Sequence, residues 1–220
     1  MKLYGASLSP FVRKVRIALE EKGIPYETEH LVPLPKTAEL LAMNPLGKIP
    51  ILRDGDVVVP DSSVICAYLE KKHPSPALYP SEPAELARAL FLEEFADTRM
   101  SEGMGAIVLE AFVKPNFLNQ PTDAAKLQEL LASARERWFG APSAPPASAP
   151  TPVLDYLESV LPADRDSVLP RFGIADVALG VHLGWLDVTG LELDARRWPR
   201  TARYYQALLA RPSFKTAVAQ

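Results

Sequence analysis

The chain has 220 residues, 48% of them hydrophobic, with a formal net charge of −3 and a pI near 5.7. With a composition that can build a proper core, disorder is not the default. With no Lys/Arg-rich run in the chain, nucleic acid and anionic membrane are poor partners and a small molecule is the better one.

The opening residues, MKLYGASLSPFVRK, lack a charged leader followed by an apolar core, and no apolar run reaches membrane-span length, which predicts a soluble cytoplasmic protein. One cysteine rules out an internal disulfide framework and a multi-cysteine zinc site. His30, His73 and His182 are widely scattered, so no metal is expected. A short strand over Lys2–Ala6 hands over to a helix in SPFVRKVRIALEEKG, where Ser9 is a cap, Pro10 suits the first helical position and Gly23 is a left-handed stop. Tyr26–Val32 reads as extended, Thr37–Met43 as a short helix and Lys48–Arg53 as a strand. Asp54-Gly55 is a hairpin signal that should pair Val57–Val59 antiparallel with Ile49–Leu52, and a helix over Ser62–Lys72 closes the unit. This order predicts a mixed four-stranded sheet with helices, as in thioredoxin-like α/β domains.

The proline-rich, aperiodic Pro74–Ala84 reads as a connector, dividing an α/β domain over 1–76 from an all-α domain over 85–220, with the linker at 77–84. Beyond it, Leu86, Leu90, Phe91, Phe95, Ile107 and Leu109 predict one long helix over Glu85–Phe112. Met100 and Met104 are core or pocket-lining residues. Further helices are expected over Asp123–Phe139, Val153–Leu161, Ile174–Leu186 and Thr201–Ala210. In RFGIADVAL, Gly173 sits at an N-cap, Asp176 at the third helical position, and Phe172 is placed to staple onto Val177. Gly140–Pro152, rich in Pro and Ala, is expected to be a loop.

Three segments present chemistry at one sheet edge. Ser9 offers a hydroxyl at a helix N-terminus. Ile49-Pro50 opens a strand with a candidate cis bond, beside which the Ile49 backbone has the character of a pairing site for an extended peptide. Asp61-Ser62 opens a helix, where N–H groups and a hydroxyl suit an α-carboxylate and the Asp61 carboxylate suits an ammonium. Each also has a plain structural reading, as a cap or an edge-strand proline.

SPFVRKVRIALEEKG, NPLGKIPIL and DSSVICAYL resemble, in order and spacing, the glutathione-binding domain of the cytosolic glutathione transferases, while RFGIADVAL and ARPSFKTAVA resemble two late signatures of that family's helical domain. The resemblance implies a homodimer that binds γ-Glu-Cys-Gly as co-substrate without a metal and conjugates it to a small hydrophobic electrophile. Ser9 matches the catalytic serine of the theta, zeta and tau classes, and Phe11 a position at the floor of the active site. Ile49 and Pro50 match the pair that meets the cysteinyl backbone. Asp61 and Ser62 match the acidic-serine pair, more often Glu-Ser, that holds the γ-glutamyl end. Lys48 matches a lysine aimed at the glycine carboxylate, and Lys36 is either a second such cation or a solvated side chain.

In that scheme the Ser9 O–H and the helix N-terminus favour the bound thiolate, with Arg13 either adding field or lying solvated on the helix face. Tyr4 reads as a packed strand residue, Ser7 as a lesser alternative to Ser9, and Cys66 as a buried small hydrophobe. Serine in place of cysteine argues against omega-like thiol exchange, and the missing Ser-Ser-Cys run against a zeta-type isomerase. The alternatives are a non-catalytic, stress-type binding protein of the same fold, or a glutathione-dependent isomerase or dehalogenase.

Overall fold

The computed structural model describes residues 1–141 and 148–218. The first half is built on β1 (Lys2–Tyr4), β2 (Glu27–Glu29), β3 (Ile51–Asp54) and β4 (Val57–Pro60), in the spatial order β2-β1-β3-β4. β1 and β2 are parallel; β3 runs antiparallel to β1 and β4. The parallel pair requires a crossover, supplied by α1 (Pro10–Glu21); α3 (Ser62–Lys72) packs on the same face of the sheet as α1, and α2 (Ala38–Met43) on the other. Strand alternation separates the two faces. Leu3, Leu52 and Val59 join the main core with α1 and α3, whereas Tyr4 and Ile51 form a small cluster with Leu40 of α2.

Three strand expectations are corrected. β1 stops at Tyr4 instead of Ala6, because Gly5 turns the chain so tightly toward α1 that a Cβ there would lie 2.4 Å from Val12 Cγ2. In the hairpin, Asp54 pairs with Val57 and Leu52 with Val59, so the two-residue loop is Gly55-Asp56, with Gly55 at φ +61. β3 begins at Ile51, after Pro50, which has no N–H to give a ladder.

The described residues beyond Lys72 form helices and connections without strands: α4 (Pro83–Phe95), α5 (Met104–Val108), α6 (Lys114–Phe117), α7 (Ala124–Phe139), α8 (Val153–Val160), α9 (Ile174–Leu183), α10 (Trp185–Thr189), α11 (Pro199–Ala210) and α12 (Pro212–Val218). The single helix expected over Glu85–Phe112 is broken. α4 widens into a π turn over Ala96–Met100, the chain turns at Gly103 with φ +76, and α5 runs into a second π turn over Leu109–Val113. Apolar spacing continues across the break, so periodicity does not reveal it. What holds the break is remote in sequence: Arg137 of α7 donates from Nη1 to the Glu102 carbonyl at 2.8 Å, with its Nε 3.0 Å from the Glu102 carboxylate. Met100 and Met104 are both fully buried core residues. Of the Gly140–Pro152 loop, residues 142–147 lie outside the described residues.

α9 is buried on every side and packs against α1, α4 and α11, as a helix apolar all round must. Its N-terminus explains the glycine at position 173. Ile174 N donates to the Leu78 carbonyl at 2.9 Å, and that carbonyl lies 2.4 Å from where a Gly173 Cβ would be. The Asp176 carboxylate accepts from Gly173 N at 3.0 Å, Val168 N at 2.8 Å and the Tyr204 hydroxyl at 2.8 Å. Phe172 lies beneath the Arg211 guanidinium, 3.7 Å from its ring centroid.

Gly173→Ala should therefore destabilise the fold by about 1–3 kcal/mol, the usual range for overpacking against atoms that cannot yield; an unchanged urea midpoint would contradict this. Burial pushes the Asp176 carboxyl up to about 6, despite the bonds it accepts. The folded chain thus keeps a proton that the unfolded chain releases near pH ~4, so this group's contribution to stability is full below that pH and falls as pH rises toward about 6. Asp176→Asn should abolish that slope while lowering stability overall, which urea titrations across the same pH range will measure.

Candidate active site

Strand register gathers the three chemistry-bearing segments. Tyr4 pairs with Glu29 on one side and Ile51 on the other, and Ile51 pairs with Pro60, so these four residues form one row across the end of the sheet. Immediately beyond that row lie the turn leading to Ser9, the cis Ile49-Pro50 bond and the start of α3 at Asp61-Ser62. Asp61 N donates to the Pro50 carbonyl at 3.3 Å, joining the second and third segments directly.

Ser9 caps α1, its Oγ accepting from Val12 N at 3.4 Å. That is beyond the usual N–H···O range of about 2.7–3.2 Å, so the tether is weak, and it occupies a lone pair while leaving the O–H proton to donate elsewhere. Phe11, half-buried, sets its ring edge-on to the His182 ring at 5.2 Å. Arg13 is not a solvated helix-face residue: it is half-buried, and its Nε donates to the Ser7 carbonyl at 2.8 Å, bracing the turn that carries Ser9. On its far side, a cavity of about 260 Å³ is lined by Arg13, Ile17, Val181, Val188, Tyr205 and Phe214. Tyr4 packs in the strand with Lys2 and Arg53 over its ring.

The approach to Ile49-Pro50 is organised by Asn44, a buried residue that sequence reading passed over although it opens NPLGKIPIL. Asn44 Nδ2 donates to the Lys48 carbonyl at 2.8 Å and its Oδ1 accepts from Leu46 N at 3.0 Å. Lys48 is exposed. Lys36 lays its stem over Gly47, and its Nζ donates to the Leu46 carbonyl at 3.1 Å. At α3, Asp61 has φ +76, a conformation that costs a non-glycine residue roughly 1–3 kcal/mol and concentrates at functional sites. Its Oδ1 accepts from Ser63 N at 2.9 Å and Val64 N at 3.2 Å, so the capping reading of Asp61 holds for that oxygen. Oδ2 has no protein partner among the described residues. Ser62, at the first helical position, is 3% exposed.

Comparison with known proteins agrees with this arrangement. Residues 3–77 match the family described as "Glutathione S-transferase, N-terminal domain", and residues 152–207 match "Glutathione S-transferase, C-terminal domain". A glutathione S-transferase from Methylobacterium radiotolerans, solved in complex with glutathione sulfonate, is 33% identical over 99% of this chain and 93% of its own, with a TM-score of 0.72. The chain belongs to the glutathione S-transferase family. A Rhodospirillum rubrum member superposes with a TM-score of 0.81 at 26% identity, covering 100% of this chain and 92% of that one. Escherichia coli GstB is 27% identical over 98% of this chain and 96% of its own length. The protein is accordingly an enzyme of this transferase type.

Behind the transferase's sheet-end site lies a buried polar cluster that sequence reading did not find. Lys14 of α1 is fully buried, and its Nζ donates to Ser63 Oγ at 2.9 Å, Glu93 Oε1 at 3.0 Å and Asp97 Oδ2 at 2.5 Å. Ser63 Oγ also donates to Asp97 Oδ2 at 3.1 Å, and His182 Nε2 lies 3.1 Å from Asp97 Oδ1. Burial works against both charges, yet Asp97 and Glu93 hold the Lys14 ammonium above its ordinary range, and His182 and Lys14 hold the Asp97 carboxyl below its own. The available signal was a lysine inside the apolar stripe of α1, between Val12 and Val15. Among the described residues, no three His, Cys, Asp or Glu side chains gather where they would hold a metal.

Cys66, inside α3, is buried, and burial pushes its thiol up to about 12. A thiol with so little thiolate at neutral pH should react with an aromatic disulfide reagent only slowly in the native transferase and stoichiometrically once unfolded; rapid native labelling would refute this.

Proposed function

We propose that this transferase conjugates glutathione to small hydrophobic electrophiles, with the Ser9 hydroxyl donating a hydrogen bond to the bound thiolate. The observation that carries the proposal is the state of the Ser9 hydroxyl: at the N-terminus of α1 its Oγ is engaged only through a lone pair, by a 3.4 Å bond from Val12 N, and its proton is uncommitted among the described residues. A free thiol has a pKa of about 8.5, and lowering it by two units needs roughly 2.7 kcal/mol of preferential thiolate stabilisation, within reach of a charge-assisted hydrogen bond plus a helix end. The scheme needs no metal.

The rest of the peptide follows the row of segments. The Ile49 backbone beside Pro50 would pair with the cysteinyl residue, and Phe11 would lie at the floor. Asp61 Oδ2 would take the α-ammonium, while the Ser62 hydroxyl and the Ser62 N–H, the first-turn donor that Asp61 Oδ1 leaves open, take the γ-glutamyl carboxylate. Lys48 and Lys36 are the cations for the glycine carboxylate. Two relatives are described as bound to glutathione sulfonate or glutathione, which supports this use of the fold. Leu8, next to Ser9 and 40% exposed, gives the electrophile an apolar surface.

The reading extends to a cytoplasmic homodimer. No helix of the described residues is long and apolar enough to cross a membrane. Val64 on α3 and Leu90 and Phe91 on α4 are exposed apolar side chains of the kind that a second copy would cover.

Ser9→Ala should lower kcat for a generic aryl halide by roughly 10- to 100-fold, the equivalent of a hydrogen bond to a charged group, while the glutathione KM changes little. A variant that loses thermal stability but keeps kcat would leave Ser9 as a cap only.

A further inference from the structure

His182 is fully buried in the last turn of α9, between Asp97 and Trp185. Trp185 Nε1 lies 3.2 Å from His182 Nδ1, and an indole N–H only donates, so Nδ1 must be the bare, accepting nitrogen. The ring proton therefore sits on Nε2 and is donated to Asp97 Oδ1 at 3.1 Å. A second proton on the ring would displace Trp185. Burial, with the Lys14 ammonium beyond Asp97, holds the His182 pKa below its ordinary value despite the neighbouring carboxylate. The charged groups facing this ring are Asp97 from the turn after α4 and Lys14 from α1, with Glu93 of α4 behind Lys14.

Asp97 grips α1 at two points. Its Oδ2 receives Lys14 directly, and its Oδ1 fixes the imidazole with which the Phe11 ring makes a T-shaped contact. Phe11 is the second residue of the helix and Lys14 the fifth, so the two grips span the first turn. Ser9 heads that same turn: its carbonyl accepts from Arg13 N at 2.9 Å, while its Oγ is tethered to the turn only by the 3.4 Å bond from Val12 N. Where the first turn sits decides where the hydroxyl points.

We infer that His182, held as the neutral Nε2–H tautomer by Trp185, is a positioning residue for the thiol site, acting through Phe11 to set the first turn of α1 under Ser9. The inference rests on the serine-thiolate reading above. It assigns a role in the chemistry to a residue of the helical half that does not itself reach the peptide.

The test titrates the ultraviolet thiolate absorbance of bound glutathione and measures kcat and KM in wild type and variants. His182→Leu should raise the bound thiol's pKa by about one unit and cut kcat roughly tenfold, with the glutathione KM within about twofold. His182→Gln keeps an amide donor for Asp97 and should recover most of the loss. Phe11→Leu should shift the thiol in the same direction, and adding His182→Leu to it should cost little more, because two residues acting in series do not add. If His182→Leu does not fold, Trp185→Phe, which removes the tautomer lock, should give a smaller shift of the same sign. A folded His182→Leu with unchanged thiol titration, no recovery in His182→Gln, or full additivity with Phe11→Leu would each overturn the inference. A wild type that forms no thiolate would bring down the serine reading as well, so the two failures are distinguishable.

Discussion

A lysine ammonium with no access to water is the constraint on which the rest of this transferase depends. Burying a charge costs several kcal/mol unless its partners are well placed, and an ammonium has three N–H donors to satisfy. Lys14 satisfies all three, on Ser63 of α3, Glu93 of α4 and Asp97 of the π turn that follows. Those acceptors belong to three separate elements, so meeting the demand of one side chain fixes where α1 and α3 stand against the helical half. The far end of α1 is clasped as well: Arg211 and Ser213 reach Glu21, and Lys22 reaches Glu70 and the carbonyls of His73 and Pro76. The helix that carries Ser9 is held at both ends by charge and along its length by apolar packing on α9.

The site then follows from strand register more than from any single motif. Tyr4, Ile51 and Pro60 stand in one row, and a slip of one residue would exchange Leu3 and Leu52 with Tyr4 and Ile51 across the sheet. The core therefore enforces the register that brings the Ser9 turn, the cis Ile49-Pro50 bond and Asp61 together. Stability and function share residues here. The Ser9 cap and the Asp61 cap each satisfy helix N–H groups while leaving one donor or acceptor uncommitted, and the conformational cost at Asp61 is borne by a fold that holds its neighbours from several sides.

Much of this was legible from local chemistry. Ser9, Thr37, Asp61 and Asp123 are oxygen-bearing side chains just ahead of apolar periodic stretches, and each caps the helix expected there. The hairpin, by contrast, was placed with the wrong register, because Asp-Gly and Gly-Asp are both acceptable two-residue turns and only cross-strand packing chooses between them. The break near Gly103 stayed hidden because its stabilising partner, Arg137, is remote in sequence. Gly173 read as an adequate cap; its cause is the Leu78 carbonyl from the connector, which no local pattern shows.

What the sequence by itself determined was the set of elements and the residue types at their ends: a strand, a capped helix, a proline-led strand, a hairpin and a second capped helix, followed by helices. Those are short-range matters, settled by hydrogen-bond satisfaction within a few residues. The tertiary structure alone decided which polar residues of α1 are buried, that Arg13 braces the Ser7 carbonyl, and that Asp97 and His182 from the helical half stand behind Phe11. A buried charge is tolerated only where partners from distant parts of the chain converge on it, and that convergence is a property of the packed fold.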